Sequence, residues 1–311
     1  MIEPQDDTAI YLNPASPVSV VIPTYNRFFM LTRLIESLKL TKFPVKEIIV
    51  VDDASSDTRY DDFSKEFPYI TYVRHEKVMY VGESRNDGIR LSSGKYTFMV
   101  DDDNTVDPEC IGNLVSVIEN ENNIGVVAPV TCYYSERDRV MYAGSLFSKY
   151  MRRTIFLFKD RPYTAVSDLI YETDGFANSY MFRRDAVLRV YPIPKYILFG
   201  GEDGYIQYRI KKELHMKLIL VGTARVYHDF LREQIFSRMT PFKLYYAMRG
   251  KITFENNLED PIKKLMFYIF IPVYFMYYMQ WALRIKDKLG GILAVTRGLT
   301  DGLFRRYVDR Y

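Results

Sequence analysis

A chain of 311 residues with 48% apolar and 26% charged side chains can bury a substantial core, and its length confines it to one large domain or a domain with an appendage. Its two cysteines, Cys110 and Cys132, exclude a disulfide framework and lack metal-ligand spacing, so they read as buried thiols of a protein in a reducing, cytosol-facing location. The net charge of +3 is uneven: from Pro261 onward nine Lys and Arg face three Asp, a balance of +6, which leaves −3 for residues 1–260.

The opening residues 1–7 are acidic and polar, unlike the basic-then-apolar start of a secretory signal, and no export is expected. Residues 18–22 form a short β-branched run and read as a strand, and the apolar positions of residues 33–40 have helical spacing. Residues 47–51 and 70–73 are further strands, residues 86–91 read as helix, and residues 96–100 form a strand that ends abruptly in Asp101, Asp102 and Asp103. Another strand follows at residues 124–128. Strands alternating with helical patterns predict an α/β fold, a mostly parallel sheet flanked by helices.

In such sheets ligands bind outside the carboxyl ends of the strands. The polar clusters of this chain fall at those ends: Pro23, Thr24, Tyr25, Asn26 and Arg27 after the first strand, Asp52 to Asp57 after the second, and Asp101 to Asp103 after the fourth. Three crowded carboxylates repel one another unless a cation sits among them, and Mg²⁺ is commonly held by one or two carboxylates together with substrate phosphates. The alternative, a solvated acidic turn, is what Asp and Asn favour in isolation; convergence on one edge favours a metal-diphosphate site.

Residues 20–27 (Val-Val-Ile-Pro-Thr-Tyr-Asn-Arg), 48–57 (Ile-Ile-Val-Val-Asp-Asp-Ala-Ser-Ser-Asp), 83–88 (Glu-Ser-Arg-Asn-Asp-Gly) and 94–103 together resemble the nucleotide-sugar-binding half of the family 2 glycosyltransferases. Residues 174–184 and 200–209 resemble that family's acceptor-side segment and its glutamate-aspartate motif at a helix start. No Gly-x-Gly-x-x-Gly or Walker-type loop competes for the site. The resemblance implies the GT-A fold, Rossmann-like, with Thr24 and Asp52 on the nucleobase and ribose, Arg85 beside base or phosphates, and Asp101 and Asp102 at the ribose and metal. It implies Asp203 as the general base, Mn²⁺ or Mg²⁺ held by Asp101, Asp103 and His228, and Gly175, Glu202 and Arg209 on the acceptor side. The acidic residue common two positions after the base is here Tyr205. A carboxylate in the first turn of a helix is expected to stay ionised at neutral pH, whereas His75 and His215 have no comparable context and are expected on the surface.

The basic tail contains an uncharged, Tyr-rich stretch from 265 to 283, near the ~20 residues that span a bilayer. Its Pro272, its tyrosines and its Lys and Arg flanks fit a helix at a membrane interface as well as a span, with a buried core or dimerisation helix as the alternative. Residues 241–250 resemble a tyrosine-arginine segment of bacterial and archaeal rhamnosyltransferase-like members, with Gly250 where Asn is commoner. The expected organisation is a GT-A domain over 1–240, with a nucleotide half at about 15–130 and an acceptor half at about 131–240, then a membrane-associated helical region over 241–311. The expected protein is an inverting, metal-dependent glycosyltransferase at the cytoplasmic side of the cell membrane, peripheral or shallowly inserted. It takes a UDP, GDP or dTDP sugar and a hydroxyl acceptor of lipid-linked or cell-surface glycan type, touches the membrane through about 261–288, and has no nucleic-acid partner. The alternative is a catalytically silent nucleotide-sugar-binding membrane scaffold.

Overall fold

The computed structural model describes residues 12–148, 153–197, 199–229, 239–257 and 261–306; the acidic opening residues lie outside these. β1 (Val18–Thr24) is buried along its whole length, as a β-branched strand covered on both faces must be. α1 (Phe28–Lys39) buries Leu31, Leu34, Ile35 and Leu38 on one face. β2 (Glu47–Asp52), α2 (Phe63–Glu66) and β3 (Thr71–Arg74) follow, then α3 (Tyr80–Leu91) and β4 (Tyr96–Val100). The helix expected at 86–91 thus begins at Tyr80. The reason lies far away in sequence: the Asp53 carboxylate accepts hydrogen bonds from the Met79 and Tyr80 amides at 2.7 and 2.8 Å, satisfying N–H groups that a helix start leaves open.

Next in the chain come β5 (Asn104–Val106), α4 (Cys110–Asn120) and β6 (Ile124–Tyr133). The short strands β7 (Val140–Tyr142), β8 (Ser145–Phe147), β9 (Thr154–Phe156) and β10 (Ile170–Glu172) lead to β11 (Ser179–Arg183). α5 (Arg184–Val190), α6 (Glu202–Glu213) and β12 (Lys217–His228) follow, and α7 (Pro241–Asn256), α8 (Pro261–Ala282) and α9 (Lys288–Leu303) close the chain.

The main sheet runs β10-β12-β6-β11-β4-β1-β2-β3. β1 pairs in parallel with β2 and β4, and β2 with β3, so the carboxyl ends of β1, β2 and β4 share one edge. β11 runs antiparallel between β4 and β6, with Ser179 opposite Val100; its amino end therefore reaches the same edge. β12 ends with His228 opposite Asn104 of β5, which delivers an imidazole to the acidic cluster. Alternation along β1 and β2 sends Val20, Ile22, Ile48 and Val50 to one apolar layer and Val21, Ile49 and Val51 to the other.

α7, α8 and α9 build a third apolar cluster around Tyr245, Met248, Ile252, Phe267 and Val295. α8 buries Phe267 and Ala282 but exposes Ile262, Leu265, Ile269, Val273 and Met276. Among the described residues it is the single helix long and apolar enough to cross a membrane, judged by length and composition.

Candidate functional site

The loop after β1 carries its polar side chains into the mouth of the sheet edge. Thr24 Oγ1 donates to Asp102 Oδ2 at 2.8 Å and lies 2.8 Å from the Tyr60 hydroxyl. Arg27 Nη1 donates to Asp102 Oδ1 at 2.9 Å and Asp103 Oδ2 at 2.8 Å. Asn26 adopts φ 54°, and its Oδ1 accepts from the Ser56 amide, tying this loop to the one after β2. Pro23, Thr24, Tyr25 and Arg27 line a cavity of about 830 Å³, together with Asp53, Arg85, Asp101, Asp102, Glu202 and Asp203, a size suited to a small-molecule ligand.

Arg85 is the hub of the site. Its side chain is 2% exposed, and it donates to Asp101 Oδ1 at 2.7 Å and Glu202 Oε1 at 2.5 Å and lies 2.7 Å from Asp203 Oδ1. One guanidinium thus joins the end of β4 to the start of α6, a separation of about a hundred residues in sequence bridged by a planar fork suited to several carboxylates. The backbone entering α6 passes through Gly200 at φ 79° and Gly201 at φ 139°, a left-handed region where side chains are strained. Gly250 of α7 packs on this turn so closely that a Cβ there would lie 2.1 Å from the Gly200 carbonyl oxygen. The commoner Asn at that position has no room.

Electrostatically, two guanidiniums face five carboxylates: Asp101, Asp102, Asp103, Glu202 and Asp203. Burial pushes Asp203 up to about 7 against the pull of Arg85, with Glu202 and Asp101 adding to the rise. Tyr180, 2.5 Å away through its hydroxyl, donates to Asp203 Oδ1. Burial likewise pushes Asp102 up to about 7 despite Arg27. At Asp103 burial is outweighed by His228 and Arg27, and its carboxyl falls to about 2. The expectation of a fully ionised Asp203 is therefore replaced by a carboxyl poised near neutrality, because desolvation at this helix start exceeds the stabilisation of the anion.

The expected metal trio becomes a pair. Asp103 Oδ1 lies 3.2 Å from His228 Nε2, while the Asp101 carboxylate turns to Arg85; among the described residues no three His, Cys, Asp or Glu side chains converge as an ion cage. A carboxylate held below its usual range and an imidazole facing each other are nonetheless a donor set that Mn²⁺ and Mg²⁺ accept. The pair would hold such an ion, with Arg27 on the neighbouring oxygen of Asp103.

Three further positions differ from expectation. Asp52 is fully buried and lines no part of the cavity; it accepts from the Ser55 amide at 2.9 Å and the Tyr72 hydroxyl at 2.7 Å. Its neighbour Asp53 faces the cavity instead, since successive residues at a strand end point to opposite sides. Arg209 is held by Glu213 and by the Val190 carbonyl and lines neither of the cavities that Asp203 lines. His75, expected on the surface, has a side chain 9% exposed between Asp53 and Asp87. His215 is exposed. Gly175 does lie beside Asp203, lining a second cavity with it. Tyr180, and Phe199 of the same cavity wall as Asp203, have no local pattern to mark them, because their partners are on other elements.

The model of Glycosyl transferase family 2 matches residues 19–188. Glycosyltransferase GlyA of Streptococcus pneumoniae serotype 4 is 26% identical over 260 residues, covering 79% of this chain and 36% of its own length. The mannosyltransferase PcManGT from Pyrobaculum calidifontis, in complex with GDP-Man and Mn²⁺, superposes with a TM-score of 0.57 at 13% identity, over 96% of this chain and 90% of that one. GalNAc-T7 with UDP, GalNAc and Mn²⁺ superposes with a TM-score of 0.61 at 17% identity, over 92% and 55%. The expected GT-A fold is the fold observed. The chain spans 36% and 39% of the length of two curated relatives it matches.

Proposed function

Because the chain belongs to glycosyl transferase family 2, we propose that it is an inverting glycosyltransferase that moves a sugar from a nucleoside diphosphate donor to a hydroxyl of a lipid-linked or cell-surface glycan precursor. The observation that carries this reading is the Arg85 bridge, which couples the carboxylates at the donor strand end to Asp203 on α6 across one cavity. In the proposed reaction Asp203 accepts the proton of the acceptor hydroxyl as that oxygen bonds to C1. The bond from C1 to the diphosphate oxygen breaks on the opposite face, and its electron pair leaves with the nucleotide. Tyr180 and Arg85 hold Asp203 in place, and a proton affinity near neutrality suits a group that must take up a proton at the working pH.

Asp103 and His228 would hold the divalent ion. When bound, such an ion lends positive charge to the leaving diphosphate as a Lewis acid. Arg27, which reaches both Asp102 and Asp103, is the counter-charge to these two carboxylates. α8, with its apolar exposed face and the basic residues that flank it, supports contact with the cytoplasmic face of a membrane through about 261–288.

Calorimetric titration of UDP, GDP, dTDP and CDP into the detergent-solubilised protein, with Mn²⁺ and then with chelator, tests the reading. Metal-dependent binding of one nucleotide, followed by transfer that Asp203→Asn removes while nucleotide binding persists, is the expected result. Absence of binding by all four in both conditions would remove the donor site.

A further inference from the structure

α8 is apolar enough to cross a bilayer, yet one of its sides is taken by protein. Tyr268 donates its hydroxyl to Asn256 Oδ1 of α7. The Phe267 and Tyr274 rings are centred 5.8 and 5.4 Å from Lys251 Nζ, and Leu244 and Ala247 share a cavity wall with Tyr277 and Tyr278. Residue numbers fall along α7 as they rise along α8, so the two helices lie side by side and antiparallel. α7 brings Lys251, its partner Glu255 and Asn256 to this contact. A spanning α8 would draw those groups into hydrocarbon, where ionisable side chains are expensive, or would strip itself from α7 and uncover the fully buried Phe267. Spanning helices also keep their tyrosines at the two ends, whereas α8 carries Tyr268, Tyr274, Tyr277 and Tyr278 through its middle and second half.

The opposite side faces outward. Ile262, Leu265, Ile269, Val273, Met276 and Leu283 recur at steps of three, four or seven residues and are 48–72% exposed, which draws one apolar line along the helix. α9 opens with a further exposed pair one turn apart, Leu289 and Leu293. Cations stand at both ends of the line: Lys263 and Lys264 at its start, Arg284, Lys286 and Lys288 past its end. The acids between residues 261 and 306 are Asp287 and Asp301, and Asp301 is buried. In a symmetric dimer through this line, either alignment of the two helices would set cations against cations. A lipid surface with acidic headgroups suits both the apolar line and its basic ends.

Resting on the membrane contact proposed above, we propose that α8 lies in the plane of the membrane and does not cross it, and that its partner is a leaflet rich in acidic phospholipid. The line from Ile262 to Leu283 then sits at one depth, at the boundary of headgroups and acyl chains, with α7 on the protein side.

The test is depth. Full-length Ile262→Cys, Ile269→Cys, Met276→Cys and Leu283→Cys are each labelled with bimane; Cys110 and Cys132 are buried, so the label reports on the introduced thiol. The labelled proteins are mixed with vesicles of phosphatidylcholine holding one-third phosphatidylglycerol, brominated either near the headgroup or near the chain end. All four positions should be quenched about equally, and more by the shallow bromines. Quenching that is deep at Ile269 and Met276 but shallow at Ile262 and Leu283 would mark a span; it would overturn the proposal and leave membrane contact standing. Vesicles without phosphatidylglycerol should bind about tenfold more weakly, the weight of one or two basic residues at an anionic surface, and equal binding to both would remove the acidic lipid. Met276→Glu, at an exposed side chain, should weaken vesicle flotation about tenfold or more and leave the urea midpoint as in wild type; flotation equal to wild type would take the apolar line out of the contact. Absence of flotation would remove the membrane contact together with this proposal, and a dimer in solution that Met276→Glu splits would give the line to a second copy. Nucleoside diphosphate binding, measured on the same samples, decides the donor site separately from every one of these outcomes.

Discussion

The sheet edge and the C-terminal helices both place charged groups out of water, and they do so by opposite means. At the edge, the end of β4 and the start of α6 bring five carboxylates together, and Arg85 and Arg27, the latter from the loop after β1, are their paired guanidiniums. In the helical layer, Lys251 lies among rings and pairs with buried Glu255. A guanidinium shared by three carboxylates leaves all three without it when it is removed, whereas loss of Lys251 takes a counter-charge from Glu255. Substitutions should therefore be far more disruptive at the edge than in the helices.

The largest effect is expected at Arg85. Arg85→Gln leaves Asp101, Glu202 and Asp203 without their shared counter-charge, and breaking a buried ionic set of this kind costs about 3–5 kcal/mol. Urea unfolding should show that loss, and Lys251→Gln, measured alongside, should show a distinctly smaller one. Equal losses would mean that the two regions are held together in the same way.

Asp203→Asn comes next and acts on chemistry rather than folding. It keeps the size and the hydrogen bond from Tyr180 but removes the proton acceptor, so transfer should fall about 10³-fold, within the range of general-base contributions. Its urea midpoint should stay close to wild type or rise, because a buried carboxyl near neutral pH is partly ionised at some cost. A variant that transfers normally would move the base elsewhere on this edge.

The pH profile follows from the same carboxyl. With Asp203 raised to about 7, its base form populates only as pH rises through that value, so kcat/KM, which reports the free enzyme, should climb about tenfold per unit below pH 7 and level off above it. The linkage has the matching sign. A carboxyl that holds its proton more tightly when folded than the ~3.9 of an unfolded aspartate contributes stability at acid pH that is lost as pH rises from about 4 to about 7. A kcat/KM that is flat from pH 5 to pH 8 would show that Asp203 is already ionised before donor binds.

What was legible beforehand follows the same division. Short apolar, β-branched runs and helical spacing mark β1, β2, β4 and α1 because each is decided within its own segment, and the clusters at their ends are found by knowing where strands stop. Asp52 and Asp53 show the limit: composition marks the pair, but which of them faces the cavity depends on one step of strand alternation. The Asp101 carboxylate is claimed by Arg85, which is 16 residues away in sequence, and nothing local ranks that partner above a metal. Arg209 matches a motif and yet finds Glu213 one helical turn away. The cavities on either side of Lys251 have no sequence signature at all, since they exist only where α7, α8 and the β8–β9 hairpin meet.

The smallest prediction concerns a charge that belongs to neither region's chemistry. His75 Nδ1 lies 2.8 Å from Asp53 Oδ1 and its Nε2 3.1 Å from Asp87 Oδ2, at the start of α3. Burial alone would depress the imidazole, but the hydrogen bonds and charges of the two aspartates outweigh it and raise its pKa. A raised histidine contributes stability that is fully present below the unfolded value of ~6.5 and disappears as pH rises through the folded value. His75→Gln should therefore be destabilised relative to wild type by about 1 kcal/mol at pH 5.5, as for a half-shielded pair, and the gap should narrow progressively toward pH 9. A gap that stays constant over that range would mean His75 acts as a neutral hydrogen-bonding spacer. Asp53, which also caps α3 and faces the donor cavity, would then be held in place by geometry alone rather than by a cation beside it.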